Sequence, residues 1–140
     1  MIELIIPGIV VAQGRPRFAR RGGFVQTYDP PKSKEYKELI KTYAHKVKPK
    51  EPLTQALSIE IDVYREIPKS WSKKKKEDAT NGTLLPTVKS DVDNYAKGIM
   101  DAISGIIYED DKQVCELKVT KKYSNDPRAE VKIRNLEENK

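Results

Sequence analysis

Asp91, Asp93 and Lys97 stand within two helical turns of one another in the sequence, and the acidic run Glu109-Asp110-Asp111 follows a short distance on. Carboxylates gathered at one point repel one another, so each resists ionising beside the next. A bound divalent cation removes that conflict. The all-oxygen donor set favours Mg²⁺, with Mn²⁺ able to stand in its place. For such distant segments to meet, the chain between them must fold back. If residues 92–103 are helical they advance about 1.5 Å each, roughly 18 Å in all. Gly105 then permits a sharp turn. Residues 106–111, if extended at about 3.3 Å each, travel roughly 20 Å back. That path predicts Asp111 at the level of Asp91 and Asp93.

The helix has its own signature. Val92, Ala96, Ile99 and Ile103 recur at i, i+4, i+7 and i+11, one apolar stripe. Asp93, Lys97 and Asp101 recur at i, i+4 and i+8 along its flank. Asp91 would point about 200° away from Asp93 on a regular helix, so joint ligation requires Asp91 in extended backbone just before the helix. A plainer reading competes: Ser90 or Asp91 is an N-cap, the acids complement the helix dipole, and Lys97 pairs with Asp93 or Asp101. The returning Asp110-Asp111 pair, in a chain otherwise rich in base, favours a site.

The chain has 140 residues, the size of one α+β domain spanning 1–140, with a formal charge of +6 from 27 Lys+Arg against 21 Asp+Glu. With several acids committed to a metal site, the remaining surface is basic and suits nucleic acid. The single Cys115 cannot form an intrachain disulfide; it falls in an apolar alternation and is expected in the core of a cytoplasmic protein. A single histidine, His45, with no cysteine cluster argues against zinc. Residues 2–11 are apolar but broken by Pro7-Gly8, a strand rather than a signal peptide, and no stretch is long enough to span a membrane.

The elements around the acids follow from local pattern. Residues 2–6 read as a strand. Residues 18–28, with Gly22-Gly23 at the middle, read as a hairpin or mobile basic loop. Tyr36, Leu39, Ile40, Tyr43 and Val47 mark an amphipathic helix from about Ser33, stopped before Pro49. Leu57, Ile59, Ile61 and Val63 alternate with polar residues as a half-buried strand does. Cys115, Leu117 and Val119, then Ala129, Val131 and Ile133, repeat that alternation across a turn at Ser124-Asn125-Asp126-Pro127. The expected fold is a small mixed β-sheet of about four to five strands with two main helices on it.

Two basic segments are candidate DNA contacts. Arg15, Arg17, Arg20 and Arg21 cluster about the glycine pair with Phe18 and Phe24 interleaved. Lys69 and the run Lys73, Lys74, Lys75 and Lys76 sit in a segment where Ser70 is expected to cap a short helix reaching Asn81-Gly82. A lysine run is as readily a solvated face as a phosphate-contacting arm. Trp71 reads as packing, and Lys89 lies beside the acids.

Lys89-Ser90-Asp91-Val92-Asp93-Asn94, then Lys97, Asp101-Ala102-Ile103, Gly105 and Asp110-Asp111-Lys112-Gln113-Val114 together resemble the signature of the RusA family of Holliday-junction resolvases. Gly14-Arg15-Pro16-Arg17-Phe18 is similar to an R-P-R-F segment of that family, and the matched segments span most of residues 8–134. Ser90 replaces a frequent proline, and Ile103 and Ser104 replace leucine and asparagine, none of them a ligand. The resemblance implies a homodimer that cuts branched DNA with Mg²⁺ or Mn²⁺, resolving four-way junctions by paired symmetric nicks in recombination and repair. It implies Asp91, Asp93 and Asp111 as metal ligands and catalytic residues, with Lys97 beside the scissile phosphate and Asp101 and Asp110 in support. It points to a bacterial or prophage-encoded cytoplasmic enzyme. The competing functions are a non-catalytic nucleic-acid-binding module and a metal-dependent nuclease for other branched DNA.

Overall fold

The computed structural model describes residues 1–14, 17–28 and 30–137. Its elements are β1 (Ile2–Pro7), β2 (Arg17–Arg21), β3 (Phe24–Tyr28), α1 (Pro31–Val47), β4 (Leu57–Glu66), α2 (Lys73–Thr80), α3 (Val92–Ile103), a 3-10 turn (Asp111–Gln113), β5 (Val114–Ser124) and β6 (Arg128–Asn135). The architecture is α+β, with one mixed sheet of four strands in the order β1-β6-β4-β5. β5 is parallel to β4, whereas β6 is antiparallel to both β4 and β1. β2 and β3 form a separate hairpin turned at Gly22 and Gly23, both with positive φ. No helix among the described residues is long and apolar enough to cross a membrane.

β4 is a central strand, and Leu57, Ile59, Ile61 and Val63 are all fully buried on the face that the helices cover. α1 contributes Tyr36, Ile40 and Ala44 to this core, α3 contributes Tyr95, Ala96, Ile99, Ala102 and Ile103, and β6 contributes Ala129, Val131 and Ile133. The unit β4-α3-β5 is a crossover between parallel strands, so α3 must run back down across the sheet before β5 climbs again. That places the start of α3 at the carboxyl ends of β4 and β5, called here the upper end.

Several expectations are corrected. The apolar stripe of α3 is filled by Tyr95 and Ala102, while Val92 is 40% exposed at the helix start. β5 is an edge strand, so Cys115 is exposed rather than packed in the core, and Leu117 is 48% exposed although it lies in register with buried Ile59. α2 begins at Lys73 and is capped by Ser72, whose Oγ accepts from the Lys75 amide at 3.2 Å, not by Ser70. Residues 106–111 are not extended. Gly105 adopts φ 87° and its amide donates to the Tyr108 carbonyl at 2.7 Å, while Ile107 and Tyr108 are fully buried at the foot of the core. Leu53 brackets them, its amide donating to the Ile107 carbonyl and its carbonyl accepting from Glu109. The chain therefore turns tightly below α3, and β5 itself makes the return.

Candidate active site

Asp91 occupies the N-cap position of α3 in extended backbone, φ −74° and ψ 150°, the conformation that joint action with Asp93 demands. Its side chain does not cap the helix. Asp93 follows in the first turn, and both aspartates are exposed, as is Lys97 one turn further on. Among the described residues none of these three side chains makes a hydrogen bond or ion pair, so Asp91 holds the expected N-cap position without a side-chain cap bond, and the i, i+4 ion pair is not formed. Asp101 pairs instead with Lys37 of α1 at 3.6 Å. Two carboxylates and an ammonium thus stand at the head of one helix with their charges open to a ligand.

The loop that presents them is tied to the sheet. Arg65, at the upper end of β4, donates through Nη1 to the Lys89 carbonyl and, at 2.8 Å, to the Tyr95 hydroxyl. Lys121 of β5 donates through Nζ to the carbonyls of Val88 and Ser90, each at 3.0 Å. Neither residue is singled out by the sequence motifs. The available cue is phase: Arg65 falls in step with Ile61 and Val63, and Lys121 with Leu117 and Val119, two cations at positions where alternation calls for apolar side chains.

Asp111 lies elsewhere. Its carboxylate accepts a 2.6 Å hydrogen bond from the Tyr108 hydroxyl. Burial first, then that hydrogen bond and the charges of Asp111, Asp101 and Asp110, push the Tyr108 phenol far above the usual tyrosine range. Asp110 is a cap of the 3-10 turn: it accepts from the Lys112 amide at 2.9 Å, while Gln113 Oε1 accepts from the Asp110 amide at 2.8 Å. Gln113 Nε2 completes the loop by donating to the Leu53 and Gln55 carbonyls. From Val114 to Lys121, β5 climbs about 23 Å at 3.3 Å per residue, and Asp111 precedes Val114 while Lys121 holds Ser90 beside Asp91. Asp111 is therefore at the opposite end of the sheet from Asp91 and Asp93. Among the described residues no group of three or more His, Cys, Asp or Glu is close enough to hold a metal ion. Asp91 and Asp93 suit Mg²⁺ in donor type and freedom, but one chain does not bring Asp111 to them.

A sequence profile of the family described as Endodeoxyribonuclease RusA matches residues 7–134. The chain belongs to the RusA family. It is also similar to the Bacillus subtilis (strain 168) protein named "Uncharacterized protein YqaN", 49% identical over 137 residues that cover 96% of each chain. The profile takes in both separated halves of the acidic motif, together with the basic segments.

Within this RusA-family chain α2 with its lysines, and Lys89, lie at the upper end. α2 packs on the carboxyl end of β5 through Ala79, Ile67 and Tyr123, with Trp71 edge-on to Tyr123 at 5.2 Å between ring centres. Trp71 is thus packing, and Lys75 lies over its ring at 4.2 Å. Lys69, Lys73, Lys74, Lys75 and Lys89 are exposed, Lys76 is half-buried, and Lys74 pairs with Asp78 at 3.1 Å. Arg20 is exposed on the hairpin; Arg17 and Arg21 are placed in β2 by backbone alone, and Arg15 lies outside the described residues. Beside the first turn of α3, a pocket of about 410 Å³ is bounded by Ile9, Val10, Arg65, Glu66, Pro68 and Tyr95.

Proposed function

We propose that the protein is a divalent-metal-dependent endodeoxyribonuclease that acts in the cytoplasm on four-way DNA junctions, resolving them by paired nicks as a homodimer in recombination and repair. The observation that carries this reading is the pair of free carboxylates, Asp91 and Asp93, in a RusA-family chain, at the end of the sheet where the α2 lysines also lie. Isolated acids beside a phosphate path repel DNA unless a cation is bound between them. Mg²⁺ held there would lower the pKa of a bound water and offset charge on the scissile phosphate. Lys97, one turn along the same helix, supplies a further positive charge to that phosphate.

The separation of Asp111 from this pair supports a site shared between two copies. β5 is an edge strand whose outer hydrogen-bonding groups face no other strand among the described residues, and Cys115 and Leu117 are exposed along it. If two β5 strands pair antiparallel about a two-fold axis near their middle, the start of each lies against the end of the other. Asp111 of one copy then reaches the end where its partner's α3 begins, and symmetry provides the second site that paired nicking requires.

The test is a mobile synthetic four-way junction with the pure protein, with and without Mg²⁺, followed by a mixing experiment. Asp91→Asn and Asp111→Asn are each expected to be inactive alone, whereas a re-equilibrated mixture regains nicking, because one of the two shared sites in each mixed dimer is intact. Mixtures that stay inactive while wild type cuts reject the shared site. Wild type that binds the junction without Mg²⁺-dependent cleavage rejects the enzyme reading in favour of a binding module.

A further inference from the structure

Three successive carbonyls, those of Val88, Lys89 and Ser90, run directly into Asp91, and each accepts a hydrogen bond from a cationic side chain rooted in the sheet. Exposed loop carbonyls are ordinarily satisfied by water and need no such partner. Both cations occupy strand positions that face the helix layer, where a charged side chain is unfavourable unless its donors are used. Arg65 holds its place although its Nε–H is buried without a partner. Its Nη1 bonds join the loop to Tyr95, inside the first turn of α3, while the Lys121 bonds join the same loop to the edge strand.

Resting on the endonuclease reading of Asp91 and Asp93, we propose that Arg65 and Lys121 are positioning residues of the candidate active site, fixing the backbone of residues 88–90 so that the Asp91 carboxylate is held in register with Asp93. The Asp91 side chain has no hydrogen bond to orient it, so its aim is inherited from its backbone, which α3 holds on one side through the Asn94 and Tyr95 amides that donate to the Asp91 carbonyl, and the loop holds on the other. Groups that orient ligands in this indirect way typically alter activity by about 10- to 100-fold when removed. Arg65 makes both bonds through Nη1, which lies one bond farther out along the side chain than a lysine Nζ, so a lysine falls short of the loop, whereas Lys121 acts as a point donor that an arginine can replace.

The test uses the full chain with Lys121→Met, Lys121→Arg, Arg65→Lys and a control, Lys34→Met, that makes the same charge change at an exposed position of α1. For Lys121→Met the expected result is a kcat on the four-way junction lower by about 10- to 100-fold, with KM within about twofold and amide exchange across residues 88–94 clearly faster than in the control. Lys121→Arg restores most of the kcat, and Arg65→Lys does not restore wild-type behaviour. The proposal is overturned if Lys121→Met matches the control in both kcat and exchange, or if only KM rises, which would make Lys121 a phosphate-binding residue. Should Lys121→Met not fold, the same two readouts on Arg65→Lys decide. If wild type does not cleave, the endonuclease reading fails, yet the exchange comparison still determines whether the two cations hold the loop.

Discussion

Replacing Tyr108 by Phe removes a single oxygen atom from a fully buried side chain, and the consequences can be worked out from its surroundings. The hydroxyl donates at 2.6 Å to the Asp111 carboxylate. Hydrogen bonds to charged groups contribute about 1.5–3 kcal/mol. Asp111 is half-exposed, so water can take over part of the acceptor role, and the loss belongs at the low end, about 1.5 kcal/mol. For a domain of this size that lowers Tm by roughly 5 °C. The effect depends on pH with a definite sign. Burial and Asp111 raise the Tyr108 pKa in the folded state, so its contribution is fully present below the unfolded tyrosine pKa of about 10 and is lost as pH rises beyond it. By pH 11 linkage removes about 1.4 kcal/mol from wild type that the Phe variant, lacking the phenol, does not lose. The two proteins are therefore expected to differ in urea denaturation at pH 7 and 9 and to converge near pH 11. Tyr36, also buried with a raised pKa, titrates in both and cancels in the difference. Equal stability at pH 7, or a difference that stays constant to pH 11, refutes the reasoning.

Asp91→Asn and Asp93→Asn are each expected to abolish Mg²⁺-dependent cleavage while junction affinity holds or rises, since each substitution removes a charge that repels DNA; gel shift and cleavage assays measure the two effects separately. Ser72→Ala should destabilise the fold by about 1 kcal/mol through loss of the α2 cap, whereas Ser70→Ala should be close to neutral, and thermal melts of the two variants distinguish them. Changing Lys73, Lys74, Lys75 and Lys76 together to Ala should flatten the dependence of log affinity on log salt by up to about 0.9 for each DNA phosphate that is no longer neutralised. An unchanged slope leaves the run as a solvated face.

Much of the fold was legible in the chain because it rests on local periodicity. The 3.6-residue repeat placed α3 at Val92–Ile103, the alternation of Leu57, Ile59, Ile61 and Val63 marked β4, the glycine pair marked the hairpin turn, and the need for extended backbone at Asp91 followed from helix geometry alone. What sequence could not supply was the order of the strands. Alternation in Cys115, Leu117 and Val119 announces a strand but not that it lies at an edge, where one flank has no neighbour to bury those side chains. The same local reading sent residues 106–111 back as a strand, whereas Ile107 and Tyr108 are drawn into the foot of the core by pairing with Leu53, far away in sequence. That tertiary competition places Asp111 below α3 and Asp91 above it. It also sets Arg65 and Lys121 beneath the loop before Asp91, an arrangement that only the parallel pairing of β4 with β5 creates, because their carboxyl ends then lie side by side.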